Sequence, residues 1–267
     1  MPAPSISQLR SGGRIWALGA LLGDHEALTT LGRALFERWQ GGDKLVVLGN
    51  ILGPRGNPVT TLDWLLALRR RLLAAPDARA CDLVFLRGAQ EEMWHKALSL
   101  QFALTPLQVL DWMLERGLAS TVEAYGLTVA EARGACRNGP SAIARWTANL
   151  RARQAIHAGH ADLLNGLARG ARSSDGRLFL SAAGIDSTRT GEDQADAFWR
   201  NATSDRALAA ALRRNAASEW RDVVRIVRGA GPAGDDGEEA SVLTVTRAVP
   251  ALVALDERSV VLERFEP

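Results

Sequence analysis

The sequence predicts an α/β protein, and three observations support this prediction. From residue 14 to residue 88, apolar runs typical of strands alternate with stretches of helical spacing. Each of the three apolar runs ends in a glycine, at Gly19, Gly49 and Gly88. A helical stretch from about 91 to 170 then precedes a second set of strand-like runs. This order favours a parallel sheet built by right-handed crossovers, with further strands added later in the chain.

The first part of the chain has a β-α-β-α-β pattern. The first helix places Leu28, Leu31, Leu35 and Trp39 at helical spacing. The second helix ends in a basic run, Arg69 to Arg71. The positive charges of this run would interact favourably with the negative, C-terminal end of the helix dipole. The predicted strands are RIWALG (14–19), KLVVLG (44–49) and CDLVFLRG (81–88), and the helices are DHEALTTLGRALFERWQ (24–40) and VTTLDWLLALRRRLLAA (59–75).

Two capping signals mark helix starts in the stretch from 91 to 170. Thr105 with Gln108, and Thr128 with Glu131, have the spacing of a capping box, and Pro106 fits the first helical position. In the first of these helices, Trp112 is expected to be a core residue. The later strands are RLFLSAAG (177–184), DVVRIVRGAG (222–231), SVLTVT (241–246) and a hairpin over 251–267, with GAGPAGDDGEE (229–239) as a mobile loop.

Composition excludes several classes of function. The chain has 267 residues, 47% of them hydrophobic and 23% charged, with a net charge of +2. That balance argues against a broad surface for nucleic acid or membrane, so any cationic site must be local. The two cysteines form neither a disulfide framework nor a zinc-binding spacing. With no apolar leader and no stretch long enough to span a bilayer, we expect a cytoplasmic protein.

The glycine-ended strands and the segments that follow them resemble a known family. GALLG (19–23), GNILGPRG (49–56) and GAQE (88–91) are similar to the blocks GDxHG, GDxxDRG and GNHE of calcineurin-like metallophosphoesterases, specifically bacterial serine/threonine protein phosphatases. The resemblance continues in ERGLASTVEAYG, LFLSAAGID, FWR and VRGAG, in the family's order. It implies a four-layer α/β/β/α sandwich over residues 1–267 as a single domain, with a helical insertion at about 91–170.

The same resemblance implies that the metal ligands are missing. The positions of the former ligands are Ala20, Leu22, Asn50, Gly53, Ala89, Gln90, Ala182 and Ala230. Only the two amides among them keep a donor oxygen, and neither carries charge. Two divalent ions need carboxylate and imidazole donors from several strand ends, so we expect no catalytic residues, no cofactor and no metal here.

Three arginines remain where the family holds the substrate phosphate. They are Arg55, Arg87 and Arg200. A guanidinium group suits phosphate because its planar fork donates two parallel hydrogen bonds. If the three converge, they form an anion-binding pocket; otherwise, each is a solvated or salt-bridged surface arginine.

Three other groups of residues could be mistaken for metal ligands. Asp24 and His25 of GDHE are expected in the first turn of a helix, where an acid is favourable. The pairs Glu91 with His95 and His157 with His160 have helical spacing, but the sequence offers no third ligand near either pair. We interpret both pairs as helix-surface residues.

The sequence thus predicts a pseudophosphatase, a catalytically inactive protein that keeps the phosphatase fold. It would bind a phosphorylated or otherwise anionic ligand, or a protein partner that could itself be phosphorylated. Two alternatives stay open. One is an active metal-dependent phosphatase with displaced ligands. The other is a structural protein that docks a partner through the helical insertion.

Overall fold

The structure is a computed structural model that describes residues 6–191, 193–194, 196–200, 203–215, 217–232 and 239–267. The strands are β1 Ile6–Gln8, β2 Ile15–Leu18, β3 Lys44–Val47, β4 Leu83–Phe85, β5 Gly170–Arg172, β6 Leu178–Ser181, β7 Arg225–Ala230, β8 Val242–Thr246, β9 Leu252–Leu255 and β10 Val261–Phe265. The helices are α1 His25–Arg38, α2 Pro58–Leu73, α3 Ala89–Leu98, α4 Pro106–Leu114, α5 Leu118–Ala124, α6 Val129–Arg137, α7 Pro140–Ala155, α8 His160–Asn165, α9 Ala197–Arg200 and α10 Asp205–Asn215.

The strands form two five-stranded mixed sheets. One has the order β10-β9-β2-β3-β4, and its β2, β3 and β4 are parallel, as the β-α-β-α-β pattern predicts. The predicted hairpin is confirmed by the antiparallel pair of β9 and β10. The other sheet has the order β1-β5-β6-β7-β8, with β6, β7 and β8 parallel. Strands β1 and β5, which the sequence did not predict, form one edge of this sheet.

The buried apolar residues form three layers of core. Ile15 and Ala17 of β2 belong to the core between the two sheets, while Trp16 and Leu18 pack under the helices on the other face. This alternation explains why β2 is apolar on both faces. A third cluster, which includes Phe198 and Trp220, covers the outer face of the second sheet. The layers are therefore helix, sheet, sheet and helix.

Local signals explain most helix starts. Asp24 caps α1 by accepting from the Ala27 N–H at 2.9 Å, which confirms its predicted place at a helix start. Thr128 and Glu131 form the predicted capping box at the start of α6. Thr105 is the N-cap residue before α4, but its side chain makes no capping hydrogen bond, so the predicted capping box is absent there. Pro106 alone marks that start.

From residue 89 to residue 165 the chain is almost entirely helical, as the predicted insertion requires. Arg70 and Arg71 lie in the last turn of α2, which confirms their expected place at the end of the helix. Residues 233–238 of the predicted mobile loop lie outside the described residues. No helix in the described part of the chain has both the length and the apolar character needed to cross a membrane.

Candidate functional site

The ends of three strands meet so closely that glycine is required. A Cβ built on Gly49 would lie 2.7 Å from the backbone nitrogen of Gly88 and 3.0 Å from the Ala182 Cβ. A Cβ on Gly88 would lie 2.3 Å from the backbone nitrogen of Asn50. Since real Cβ atoms do not approach backbone this closely, both positions need glycine. The blocks after β3, β4 and β6 therefore converge at one place.

Two non-glycine residues at this place have left-handed backbone. Leu22 has a φ of 55° and Asn50 a φ of 51°. The loops that contain them are bound together, because the carbonyl of Asn50 accepts from the N–H groups of Leu21 and Leu22 at 3.1 and 2.7 Å. The carbonyl of Leu22 accepts in turn from the Arg55 N–H at 2.7 Å. A left-handed leucine costs about 1–2 kcal/mol, so the surrounding contacts must hold this loop in shape.

Glu91 is the buried anchor of these loops. Its side chain is fully buried, which corrects our interpretation of it as a helix-surface residue. The carboxylate accepts from the N–H groups of Asn50 and Gly88, each at 2.8 Å, and of Leu52 at 2.9 Å. Burial raises the pKa of Glu91 above its ordinary value, and the backbone donors act in the opposite direction.

The positions that the resemblance matches to metal ligands carry few donor atoms. Ala20 and Ala182 are buried, and Ala89 and Ala230 are half-buried. The Asn50 side-chain oxygen already accepts from the Gln90 N–H at 3.1 Å, and the Gln90 side-chain amide donates to the Arg116 carbonyl at 2.8 Å. The oxygens of Glu91 are taken by backbone donors. These residues therefore do not fit a two-metal centre, which needs charged ligands free to face the ions.

A cavity of about 870 Å³ opens beside these positions. Its cationic side chains are Lys96, Arg116 and Arg200, and no carboxylate is found among its described lining residues. The rest of the lining is Ala89, Gln90, Met93, Gln108, Val109, Trp112 and Trp199. Glu115, which does not line the cavity, pairs with Arg116 at 3.7 Å. The three cations face no carboxylate among the described lining residues, which favours an anionic ligand.

Two tryptophans in the wall lie beside these cations. The Arg116 guanidinium lies 4.5 Å from the centroid of the Trp112 ring, and the Lys96 ammonium lies 5.5 Å from that of Trp199. Trp112 is 42% exposed, so the expectation of a core residue is wrong. Cation–π interactions hold the two cations at the wall. The cavity thus combines positive charge with aromatic surface.

The three predicted arginines lie in different surroundings. Arg200 lines the cavity. Arg87 is half-buried and pairs with Glu92 at 3.5 Å, while its Nε is buried and makes no hydrogen bond within the described residues. Arg55 is exposed on the loop after β3. Convergence of the three guanidinium groups stays a prediction.

The three histidines of the two pairs do not have the surface positions that we expected. His160 is fully buried and His157 half-buried, and their rings stack with centroids 5.0 Å apart. Asp63 of α2 supplies the third carboxylate or imidazole group that the sequence did not reveal. His95 is half-buried against the carbonyl of Leu164, at 3.0 Å from its Nε2. Burial is the main cause that lowers the pKa of both His95 and His160.

Several residues of the cavity were missed at the sequence level. The spacing of Ala89, Met93 and Lys96 along α3 could have revealed a common face, and Trp199 stands next to Arg200 in the FWR segment. Arg116 lies in a segment that resembles the family, beside Gly117. Their shared cavity depends on how α3, α4 and α9 pack. Sequence periodicity alone does not contain that information.

Comparisons with known proteins identify the fold. No protein-family model and no curated protein matches the sequence. A candidate diadenosine tetraphosphatase superposes with a TM-score of 0.53 at 14% identity, over 98% of both chains. A serine/threonine phosphatase from Saccharomyces cerevisiae gives 0.56 at 13%, over 99% of this chain and 84% of that one. A cold-active protein tyrosine phosphatase from Shewanella gives 0.51 at 14%, over 94% of this chain and 78% of that one.

At these identities the likeness concerns the fold alone. Together with the four layers described above, it confirms the predicted α/β/β/α sandwich of the calcineurin-like metallophosphoesterase type.

Proposed function

We propose that this protein is a pseudophosphatase that binds a phosphorylated segment of a protein partner in the cavity beside the strand ends. The observation that carries the proposal is the charge of this cavity. Lys96, Arg116 and Arg200 line it without a carboxylate among its described residues. The proposal includes the cytoplasmic location expected from the sequence, with which two free cysteines are compatible.

The absence of catalysis rests on the donor set at the strand ends. In a metal-dependent phosphatase the metal ions activate water and polarise the phosphoryl oxygens. Here alanine, leucine and glycine occupy most of the corresponding positions, and the amides of Asn50 and Gln90 are hydrogen-bonded within the loops. A phosphoryl group in the cavity would therefore meet cations that bind it and no group that cleaves it.

The aromatic and apolar wall favours a ligand larger than free phosphate. Trp112 and Trp199 together with Val109 offer surface to the residues beside a phosphorylated side chain. A charge-assisted hydrogen bond contributes about 1.5–3 kcal/mol before the costs of desolvation and ordering. Removing one cation should therefore weaken phosphopeptide binding by about tenfold or more.

Calorimetric titration tests this function. A phosphopeptide should bind better than its unphosphorylated form, and Arg116→Gln and Arg200→Gln should each reduce the difference by about tenfold or more. Arg145→Gln is the matched control, because Arg145 is exposed on α7 and does not line the cavity. Equal binding of the two peptides would contradict the proposal, and chelator-sensitive release of phosphate would favour the displaced-ligand enzyme instead.

One observation favours docking through the helical insertion as a second function. Phe102 and Leu104, which lie just before α4, are 81% and 101% exposed. Exposed apolar side chains of this size are typical of surfaces that contact other proteins. If a partner binds regardless of phosphorylation and the double change Phe102→Ser, Leu104→Ser abolishes binding, this second function is supported.

A further inference from the structure

We propose that Asp63, His157 and His160 form a binding site for a transition-metal dication of the Zn²⁺ type. Their ligand atoms all lie within 4.8 Å of one another. The site joins α2, which carries Asp63, to His157 in the turn after α7 and to His160 at the first position of α8. None of the three residues lies at a former ligand position of the strand ends or lines the cationic cavity.

The contact between Asp63 and His160 already has the spacing of two metal ligands. The His160 Nε2 lies 3.1 Å from the Asp63 Oδ1. Two ligand atoms bound to a tetrahedral Zn²⁺ at about 2.0–2.1 Å are separated by about 3.3 Å. His157 needs to approach further, and its half-buried side chain lies in the turn after α7, outside any helix.

Tyr125 contacts the His160 ring at Nδ1, the nitrogen that faces away from Asp63. Its hydroxyl lies 2.9 Å from the His160 Nδ1, and this contact is buried. Histidines that bind metals usually have the second ring nitrogen held by an oxygen in this way, which fixes the ring and its tautomer. The ring edge of Tyr125 also contacts His157, with centroids 5.5 Å apart. Both imidazoles are therefore held by the same aromatic side chain.

The protonation states can be balanced without an extra group. In the metal-free protein the His160 Nε2–H donates to Asp63, because a carboxylate can only accept, and the Nδ1 accepts from Tyr125. Metal binding takes the Nε2 lone pair, so the ring proton moves through solvent to Nδ1, which then donates to the Tyr125 oxygen.

The charges around the site favour one dication. Asp63 supplies one negative charge and is 57% exposed, so the ion can enter from solvent. Two neutral imidazoles and one carboxylate suit Zn²⁺, whereas Mg²⁺ and Ca²⁺ prefer oxygen ligands. Three protein ligands leave the fourth position to water. A bound ion would fix the insertion to α2 and thereby to the first sheet.

Thermal unfolding of the full chain tests the site, with Zn²⁺ alone as the probe after treatment with a chelator. Zn²⁺ should raise the Tm of the wild type, and Mg²⁺ should not. Asp63→Asn and His157→Gln should each abolish the rise, while His25→Gln should keep it, because His25 lies in α1. An unchanged Tm in the wild type, or an equal rise in the two site variants, would overturn the proposal.

Co²⁺ provides a second readout that does not depend on stability. Binding at this site should produce the visible absorption of a tetrahedral centre, and His157→Gln should remove it. The folded state of each variant is checked by its metal-free Tm. If Co²⁺ gives no tetrahedral absorption, or if the absorption persists in both Asp63→Asn and His157→Gln, these residues are not the ligands.

Discussion

Glu91 shows how a single residue keeps the strand-end loops in place. Its carboxylate accepts from the backbone of two different loops, those after β3 and β4. Glutamine has the same shape as glutamate but only one side-chain oxygen. In Glu91→Gln, an amide NH₂ group therefore replaces one acceptor and faces at least one backbone N–H donor. The loops that carry Asn50 and Gly88 thus depend on the two buried acceptor oxygens of Glu91.

We therefore expect Glu91→Gln to lower the free energy of unfolding by about 1–3 kcal/mol, the cost of one buried donor without an acceptor. Denaturant unfolding measures the change. Glu92→Gln is the control, because Glu92 is a neighbouring acid that only pairs with Arg87 at 3.5 Å. That pair is partly exposed and should contribute no more than about 1 kcal/mol. Equal effects of the two substitutions would contradict this account of Glu91.

The burial of His160 makes the stability of the protein depend on pH. Burial lowers its pKa in the folded state, so below an unfolded pKa of about 6.5 the unfolded chain binds the additional proton. The stability that a neutral His160 provides is present above that pH and is lost as the pH falls through it. His160→Gln should therefore lose less stability between pH 7 and pH 5 than the wild type, as measured by urea unfolding. A steeper loss in the variant would show that the sign is wrong.

At the scale of elements, a buried ion pair joins α10 to β7. Arg228 and Asp205 are both fully buried, and the Arg228 Nη2 lies 2.6 Å from the Asp205 Oδ1. Arg228 also donates to the hydroxyl of Thr244 at 2.8 Å and to the carbonyl of Thr203 at 2.6 Å. The network fixes the start of α10 against the second sheet, close to the strand end at Ala230.

Arg228→Met should lower the free energy of unfolding by up to about 3–5 kcal/mol, because it removes the closer of two arginines that pair with the buried Asp205; the other, Arg247, lies 3.4 Å away. Adding Asp205→Asn removes that charge and should recover part of the loss. Thermal unfolding of the single and double variants measures both effects. If the double variant is less stable than Arg228→Met alone, the charge of Asp205 is not the source of the penalty.

The sequence predicted the elements whose signals are local. Strands β2, β3 and β4 are apolar on both faces, and Asp24 and Thr128 cap their helices through residues three positions away. Strands β1 and β5 could not be predicted, because each has three residues and they pair with each other across most of the chain. The hydroxyl of Thr105 was wrongly expected to cap α4. Proline at the first position defines that start without it.

In the candidate sites, too, only the features with local sequence signals could be predicted. The positions that the resemblance matches to metal ligands could be located from the motifs, because six of the eight are a glycine or lie next to one. The burial of Glu91 and the contact of Asp63 with His160, 97 residues apart, depend on how the helices pack on the sheet. Trp112 has the helical spacing of a core residue and faces a cavity instead. Periodicity gives the apolar face of a helix but does not show what covers it.

At the scale of the whole molecule, the chain has the fold of solved phosphatases, and the proposed loss of the donor set for catalysis leads to a direct prediction. We expect no hydrolysis of an aryl phosphate above background when Mn²⁺ is added, because the strand ends lack charged ligands. Ala20→Asp should not restore activity, since one carboxylate does not form a two-metal centre. Release of the phenol measures both results. Chelator-sensitive hydrolysis by the wild type would instead support the alternative of an enzyme with displaced ligands.

Phosphorus NMR of a phosphopeptide tests the central claim most directly, because one spectrum reports both binding and cleavage. In the presence of the protein and diamagnetic Mg²⁺, the phosphopeptide resonance should broaden, and Arg116→Gln and Arg200→Gln should restore its sharp line. No resonance of inorganic phosphate should grow with time. A growing phosphate signal would contradict the absence of catalysis, and a line that stays sharp with the wild-type protein would contradict binding in the cavity.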